Sequence, residues 1–225
     1  MIGTGMIRTA LTVLLTASLA ACSSQDTGFG EIATAVRENI ANRGENTEVR
    51  GLDTNAVSAA LAATDRPLSL MQSEEPVQQF IMVDIARNGP YRTYATSTRE
   101  AVITRGGMIT STRGLGGDLM SSEEDALYRL IGSRIGGSAP YTLRHLTPEG
   151  VTETTQYQCQ VSRGAASPVQ IGELNTSGLV MTAQCRSDAG AITNTFLVDG
   201  NGQILSARQF ISDYYGYLTT QVLRR

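Results

Sequence analysis

TQYQCQV, residues 155–161, sorts its side chains onto two faces without a break. Tyr157, Cys159 and Val161 fall on one side, and Gln156, Gln158 and Gln160 on the other. A period of two is that of a β-strand with one buried face. LVMTAQC, residues 179–185, repeats the pattern, with Leu179, Met181, Ala183 and Cys185 sharing a face. Each cysteine therefore points to the apolar side of its strand. A bridge between Cys159 and Cys185 would close a loop of about 25 residues and contribute on the order of 3 kcal/mol. Two free buried thiols are the alternative. A zinc site fits poorly, because two cysteines without nearby histidines lack a ligand set.

The same texture runs outward from this pair. Leu68–Met71, Val77–Ala86, Tyr91–Thr96, Ala101–Arg105, Met108–Arg113 and Tyr141–Leu146 read as strands. So do Glu153–Arg163, Leu179–Ser187, Ile192–Asp199 and Gln203–Ile211. Turn texts such as Asn88-Gly89-Pro90, Gly106-Gly107 and Asp199-Gly200-Asn201-Gly202 separate them. Gaps this short favour antiparallel hairpins, since a parallel crossover needs a dozen residues or more. Three short helices are predicted. Ile32, Val36 and Ile40 give Phe29–Asn42 a helical period, and Thr54 or Asn55 opens a second helix ending at Ala63. Ser121-Ser122-Glu123-Glu124-Asp125 reads as a capping box for a third, with Leu127, Leu130 and Ile131 as its apolar face. No fixed-period repeat or linker divides this region. The fold class is mainly β: one curved antiparallel meander sheet with two or three short helices packed against it.

The start of the chain is of another kind. Arg8 precedes an apolar run from Thr9 to Leu19, too short to span a membrane, which takes about 20 apolar residues. Residues 1–21 read as a secretory signal. Leu19-Ala20-Ala21-Cys22 resembles the bacterial lipobox, where cleavage leaves a lipidated cysteine as the first mature residue. An ordinary small-residue cleavage site is the competing reading. Ser23 stands where an aspartate would be the usual signal for inner-membrane retention, which suggests the outer membrane. Residues 22–28 then form a lipidated tether and residues 29–225 a single β-rich periplasmic domain, in a compartment where disulfides persist.

Composition narrows the chemistry. The chain has 225 residues, a net charge of −3 and no lysine, so its 18 basic residues are all arginines. No nucleic-acid footprint is present, and no mechanism can use a lysine amine. His145 is the single histidine, and no G-x-S-x-G elbow accompanies it. No metal or cofactor motif appears. A glycosidase needs two facing carboxylates; the acids available include Asp84, Glu100, Asp118, Glu123, Glu124, Asp125, Glu173 and Asp199. With Glu123 to Asp125 at a helix start and Asp199 in a hairpin turn, Asp84, Glu100 and Asp118 are the ones to test. Gly114-Leu115-Gly116-Gly117-Asp118-Leu119 lacks the G-K-[ST] of a phosphate loop and reads as a tight turn, with Asp118 satisfying backbone donors. Asp199-Gly200-Asn201-Gly202 begins like a calcium loop, but Phe210 occupies the position that needs a glutamate. Tyr214, Tyr215 and Tyr217 either seal the edge of the core or stack on sugar rings.

Two segments carry a family resemblance. Val102 to Ile109, leading through Thr112-Arg113-Gly114-Leu115-Gly116-Gly117-Asp118-Leu119, is similar to the turn-and-glycine signature of the YjbF/GfcB lipoproteins. Asn194 to Asp199, followed by Ser206-Ala207-Arg208-Gln209-Phe210, resembles that family's closing hairpin. The sequence departs from it at Phe210 and Ser212-Asp213-Tyr214, where the family often carries tryptophan and a glycine-proline pair. The resemblance implies a half-barrel-like sheet and a lipoprotein on the periplasmic face of the outer membrane, serving exopolysaccharide or capsule production and export. It implies no catalytic residue. On this reading the partners are the membrane, through the lipid on Cys22, and either export proteins or the polysaccharide itself. Arg105, Arg113, Asp118, Arg208, Tyr214, Tyr215 and Tyr217 are the positions for glycan or partner contact. A carrier for a lipid-linked glycan or other amphiphile is the first alternative, and a periplasmic glycan hydrolase the second. Replacing Cys22 with serine should abolish acylation and release the protein to the soluble periplasm; fractionation with membranes as for the wild type would contradict the anchor.

Overall fold

The computed structural model describes residues 54–225 other than 75 and 148. The signal segment, Cys22, the tether and the helix expected over Phe29–Asn42 lie outside the described residues. A helix α1 (Thr54–Ala63) leads into five strands: β1 (Leu68–Ser73), β2 (Gln78–Asn88), β3 (Tyr91–Ala95), β4 (Ala101–Arg105) and β5 (Met108–Arg113). Then come β6 (Leu119–Glu123), helix α2 (Asp125–Gly132), β7 (Gly137–Leu146), β8 (Thr152–Ile171) and β9 (Leu174–Ser187). The chain ends with β10 (Gly190–Val198), β11 (Ile204–Ser212) and β12 (Gly216–Arg224).

All twelve strands form one antiparallel sheet in the order β5-β4-β3-β2-β1-β12-β11-β10-β9-β8-β7-β6. Every neighbour is also a neighbour in sequence, except where β1 pairs with β12. The two edges, β5 and β6, are consecutive in the chain and joined by the glycine loop, so the sheet must curl until its edges meet. The result is a meander nearly closed into a barrel, further round than a half-barrel. Alternation explains the inside. Met71, Met82, Tyr94, Val102, Phe196, Tyr141 and Met181 belong to one buried cluster that fills the interior. Alanines at 56 and 60 let α1 lie close on the outer face of β1, β2 and β12, over Leu68, Ile81, Val83 and Leu223.

The seam between β5 and β6 is not a ladder. Arg105 and Met108 close the β4–β5 hairpin around Gly106 and Gly107, both at positive φ, as a type I′ turn requires. The next pair, Thr104 and Ile109, is then non-hydrogen-bonded, so the Ile109 amide and carbonyl point away from β4 into the seam. Gln209 of β11 reaches them across the interior. The Ile109 N–H donates to Gln209 Oε1 at 2.7 Å, and Gln209 Nε2 donates to the Ile109 carbonyl at 3.3 Å. Further along, the Leu119 N–H donates to Thr112 Oγ1 at 3.0 Å, and the Arg113 guanidinium donates to the carbonyls of Leu119 and Met120, each at 3.2 Å.

Cys159 and Cys185 face each other on β8 and β9, fully buried, and form the disulfide. Three features differ from the sequence reading. Ser121 and Ser122 lie in β6, not in a capping box; α2 starts at Asp125, and its N-cap residue Glu124 makes no side-chain cap bond. The Glu124 carboxylate instead receives Arg105, Tyr91 and Ser122. Strands β8 and β9 run well beyond their alternating centres, and the tip of their hairpin returns to β12, where the Glu173 N–H donates to the Leu223 carbonyl at 2.9 Å. Finally, the chain past Tyr215 forms the central strand β12.

Replacing Gln209 with methionine keeps the volume but leaves two buried backbone groups of Ile109 without partners. Each such group costs about 1–3 kcal/mol, so chemical denaturation should show a loss of about 2–6 kcal/mol. An unchanged midpoint would show that the seam does not depend on this side chain.

Candidate functional site

In an up-and-down meander, alternate turns lie at the same end. One end here gathers the β2–β3 turn at Gly89-Pro90, the β4–β5 turn at Gly106-Gly107, the β10–β11 turn, α2 and the chain end at Arg225. Helix α2 closes part of this mouth, with Leu127 and Ile131 sunk into the core and Gly132 packed against Gly202. The β10–β11 turn crosses to the β4–β5 turn, where the Ile204 N–H donates to the Gly106 carbonyl at 3.0 Å. The part left open is a cavity of about 490 Å³.

Four arginines line it: Arg87, Arg92, Arg105 and Arg225. No aspartate, glutamate, histidine or cysteine side chain does, among the described residues. The carboxylates stand behind. Asp84 takes Arg92 at 3.0 Å, Asp199 takes Arg225 at 2.6 Å, and Glu124 and Asp125 both take Arg105. The bond to Asp125, with help from Glu124, holds the Arg105 guanidinium even more firmly protonated than usual. Its central carbon lies 4.7 Å from the centre of the Tyr128 ring, a cation–π contact. Burial pushes the Tyr94 hydroxyl up, so it stays a neutral donor. Among the described residues no carboxylate pairs with the exposed Arg87. The mouth is a set of permanently charged, pre-aimed donors, suited to hold a carboxylate or phosphate.

The residues expected to make contacts are not brought together. Arg105 lies in the mouth. Arg113 is in the seam. Asp118, at the opposite end, accepts the amides of Gly114 and Leu115 at 2.7 and 3.1 Å and the Thr112 hydroxyl at 2.8 Å, the turn role expected of it. Tyr214 is exposed beside it, and its Cβ would lie 2.8 Å from any side chain added at Gly117. Tyr215 is half-buried; burial pushes its hydroxyl up. Arg208 sits on the outside of β11, paired with Glu74 and stacked 3.6 Å above the Tyr217 ring. The hydroxyl of Tyr217 accepts the Thr193 N–H at 3.1 Å. Of the hydrolase acids, Asp84 is engaged by Arg92 and Asp118 by the glycine loop. Burial pushes Glu100 up, but bonds from Thr96 and Thr98 outweigh it and hold the carboxyl below its usual range. His145 donates through Nε2 to the Ile211 carbonyl at 2.6 Å, far along β7 from the mouth. Asp199 organises its hairpin by accepting the amides of Asn201 and Gln203, both at 2.9 Å.

Sequence reading missed Arg87, Arg92 and Arg225. The signal available was positional: Arg87, Arg92 and Arg105 each lie within a few residues of alternate turns, which a meander places at one end.

A twelve-stranded antiparallel curl with a basic opening at one end of the described residues defines a β-sheet protein of barrel-like construction. Comparison with known proteins gives it a family. The profile described as group 4 capsule polysaccharide lipoprotein gfcB, YjbF, matches residues 33–223, and the chain belongs to this family of capsule-associated lipoproteins. The crystal structure of the hypothetical lipoprotein YmcC from Escherichia coli (K12) is similar in fold, with a TM-score of 0.65 and 14% identity over 79% of this chain and 98% of that chain. No curated protein sequence matches.

The crossing over the mouth depends on Gly107, where φ is +94° and an added Cβ would lie 2.5 Å from the Ile204 carbonyl oxygen. Gly107→Ala should cost at least about 1–2 kcal/mol. Gly150→Ala, at positive φ but in open space, should cost clearly less. Equal losses in thermal denaturation would show that the crossing adds nothing.

Proposed function

We propose that the chain is a non-enzymatic accessory factor in the production and export of a capsule-type polysaccharide. In this reading it is held by the lipid on Cys22 at the periplasmic face of the outer membrane and works by binding. Family membership supports the polysaccharide link. The observation that carries the binding mode is the mouth itself, walled by guanidinium groups and hydroxyls. Guanidinium stays protonated at any working pH, so it orients and holds anions but is a poor proton carrier.

The alternatives find less support. A carrier for acyl chains needs an open apolar concavity. Here the described interior is filled by its own side chains, Met71, Met82, Phe196 and Met181 among them, and the open cavity is basic. A hydrolase needs two carboxylates facing a cleft, whereas Asp84, Glu100 and Asp118 are each held by local partners.

Deleting the gene should lower surface polysaccharide, and the wild-type gene should restore it, with build-up in the periplasm marking a late block. Unchanged polymer, under conditions where the other polysaccharide genes are expressed, would contradict the reading.

A further inference from the structure

The mouth holds three kinds of group in one place. Arg92 and Arg105 are braced from behind by carboxylates, so their remaining N–H donors face a fixed direction. Neutral hydroxyl groups, from Ser69, Thr104 and Thr220, lie within the same cavity. Arg87 stands at the rim without a carboxylate partner among the described residues, opposite Arg92 across the β2–β3 hairpin. Arg92 with Asp84 is close to neutral as a unit, and Arg105 with Glu124 and Asp125 carries one net negative charge, placed behind the mouth. Among the described residues, Arg87 is the mouth arginine that no carboxylate pairs with.

We propose that this cavity binds an acidic sugar, a pyranose carrying a carboxylate, within a polysaccharide chain. The carboxylate takes the forked donors of Arg87 and its neighbours, and the ring hydroxyls take the serine and threonine hydroxyls. A guanidinium presents parallel N–H groups that match a carboxylate edge, and pre-bracing reduces the ordering cost on binding. A cavity of about 490 Å³ suits a short stretch of glycan. The choice of a glycan as ligand rests on the polysaccharide reading above; the charge and the residues rest on the cavity. A polymer with repeated acidic units raises the effective affinity over that of a single unit.

The test is calorimetric titration of the full acylated chain in an uncharged detergent, with three probes: tetragalacturonate, neutral maltotetraose and inorganic phosphate. Tetragalacturonate should bind, and maltotetraose should bind at least about tenfold more weakly, the effect of losing a charged contact. Phosphate alone should be weaker than tetragalacturonate, because it lacks the ring. Arg87→Glu should weaken tetragalacturonate by about tenfold or more while leaving the melting temperature unchanged, since Arg87 is exposed and supports no ion pair in the described fold. Equal binding of the acidic and neutral oligosaccharides would overturn the proposal. So would phosphate binding as tightly as tetragalacturonate, or an Arg87→Glu variant that binds normally. These results leave the polysaccharide role standing if the gene deletion still lowers surface polymer, so the two readings fail separately.

Discussion

The carboxamide of Gln209 is the contact on which the shape of this molecule rests. A twelve-stranded meander has two edges, and each edge strand offers a row of backbone groups that invites pairing with another chain. In this protein the edges are β5 and β6, and they are brought face to face. They do not pair as a ladder. Gln209 reaches through the core to take both backbone groups of Ile109, and Thr112 and Arg113 serve Leu119 and Met120. A buried amide and carbonyl satisfied by one side chain allow the sheet to shut without strict register between its edges. The bulges at Thr110 and Met120 tighten the curl on either side. The glycine loop and Asp118 then need only turn the chain from one edge to the other.

Closure determines what is left open. At the end opposite the glycine loop, α2 and the β10–β11 turn cover part of the interior, and the hairpin tip of β8 and β9 crosses to β12 beside α1. What remains is the arginine mouth. Its walls come from turns and strand ends far apart in sequence, held by a sheet whose interior is filled with side chains. Rigid strands under a polar opening favour a site that is formed before the ligand arrives. The carboxylates behind Arg92, Arg105 and Arg225 serve the same purpose: they fix the cations and also keep their mutual repulsion from splaying the turns.

Much of the fold was legible because alternation is a local property. Ala101–Arg105 and Met108–Arg113 were read with their observed limits, and the facing cysteines were read from the parity of two strands. The missed strands are those in which alternation is masked. In β6, Leu119-Met120-Ser121-Ser122-Glu123 resembles a helix start, since serines before glutamates suit both a cap and an exposed strand. In the outer halves of β8 and β9, Gly164, Ala165, Pro168 and Gly178 carry no hydrophobic period; Gly164 and Ala165 sit at a shift of register, and the pairing across the hairpin holds Pro168 and Gly178 extended. In β12, three tyrosines before Leu218 drew the reading towards an aromatic cluster, though Leu218 and Thr220 do alternate inward. The site was legible only through Arg105, which sits in a recognisable motif. The other mouth arginines have no motif, and their proximity is a consequence of topology.

The basic opening of the described sheet is the place proposed for the glycan. A crystal structure of the chain grown with tetragalacturonate tests it most directly. A sugar carboxylate should lie within hydrogen-bond distance of Arg87 and of a braced neighbour, Arg92 or Arg105, with the seam at Ile109 and Gln209 unchanged. Sugar bound along the exposed Tyr214 end or on the outer face at Arg208 and Tyr217, with none in the mouth, would contradict it.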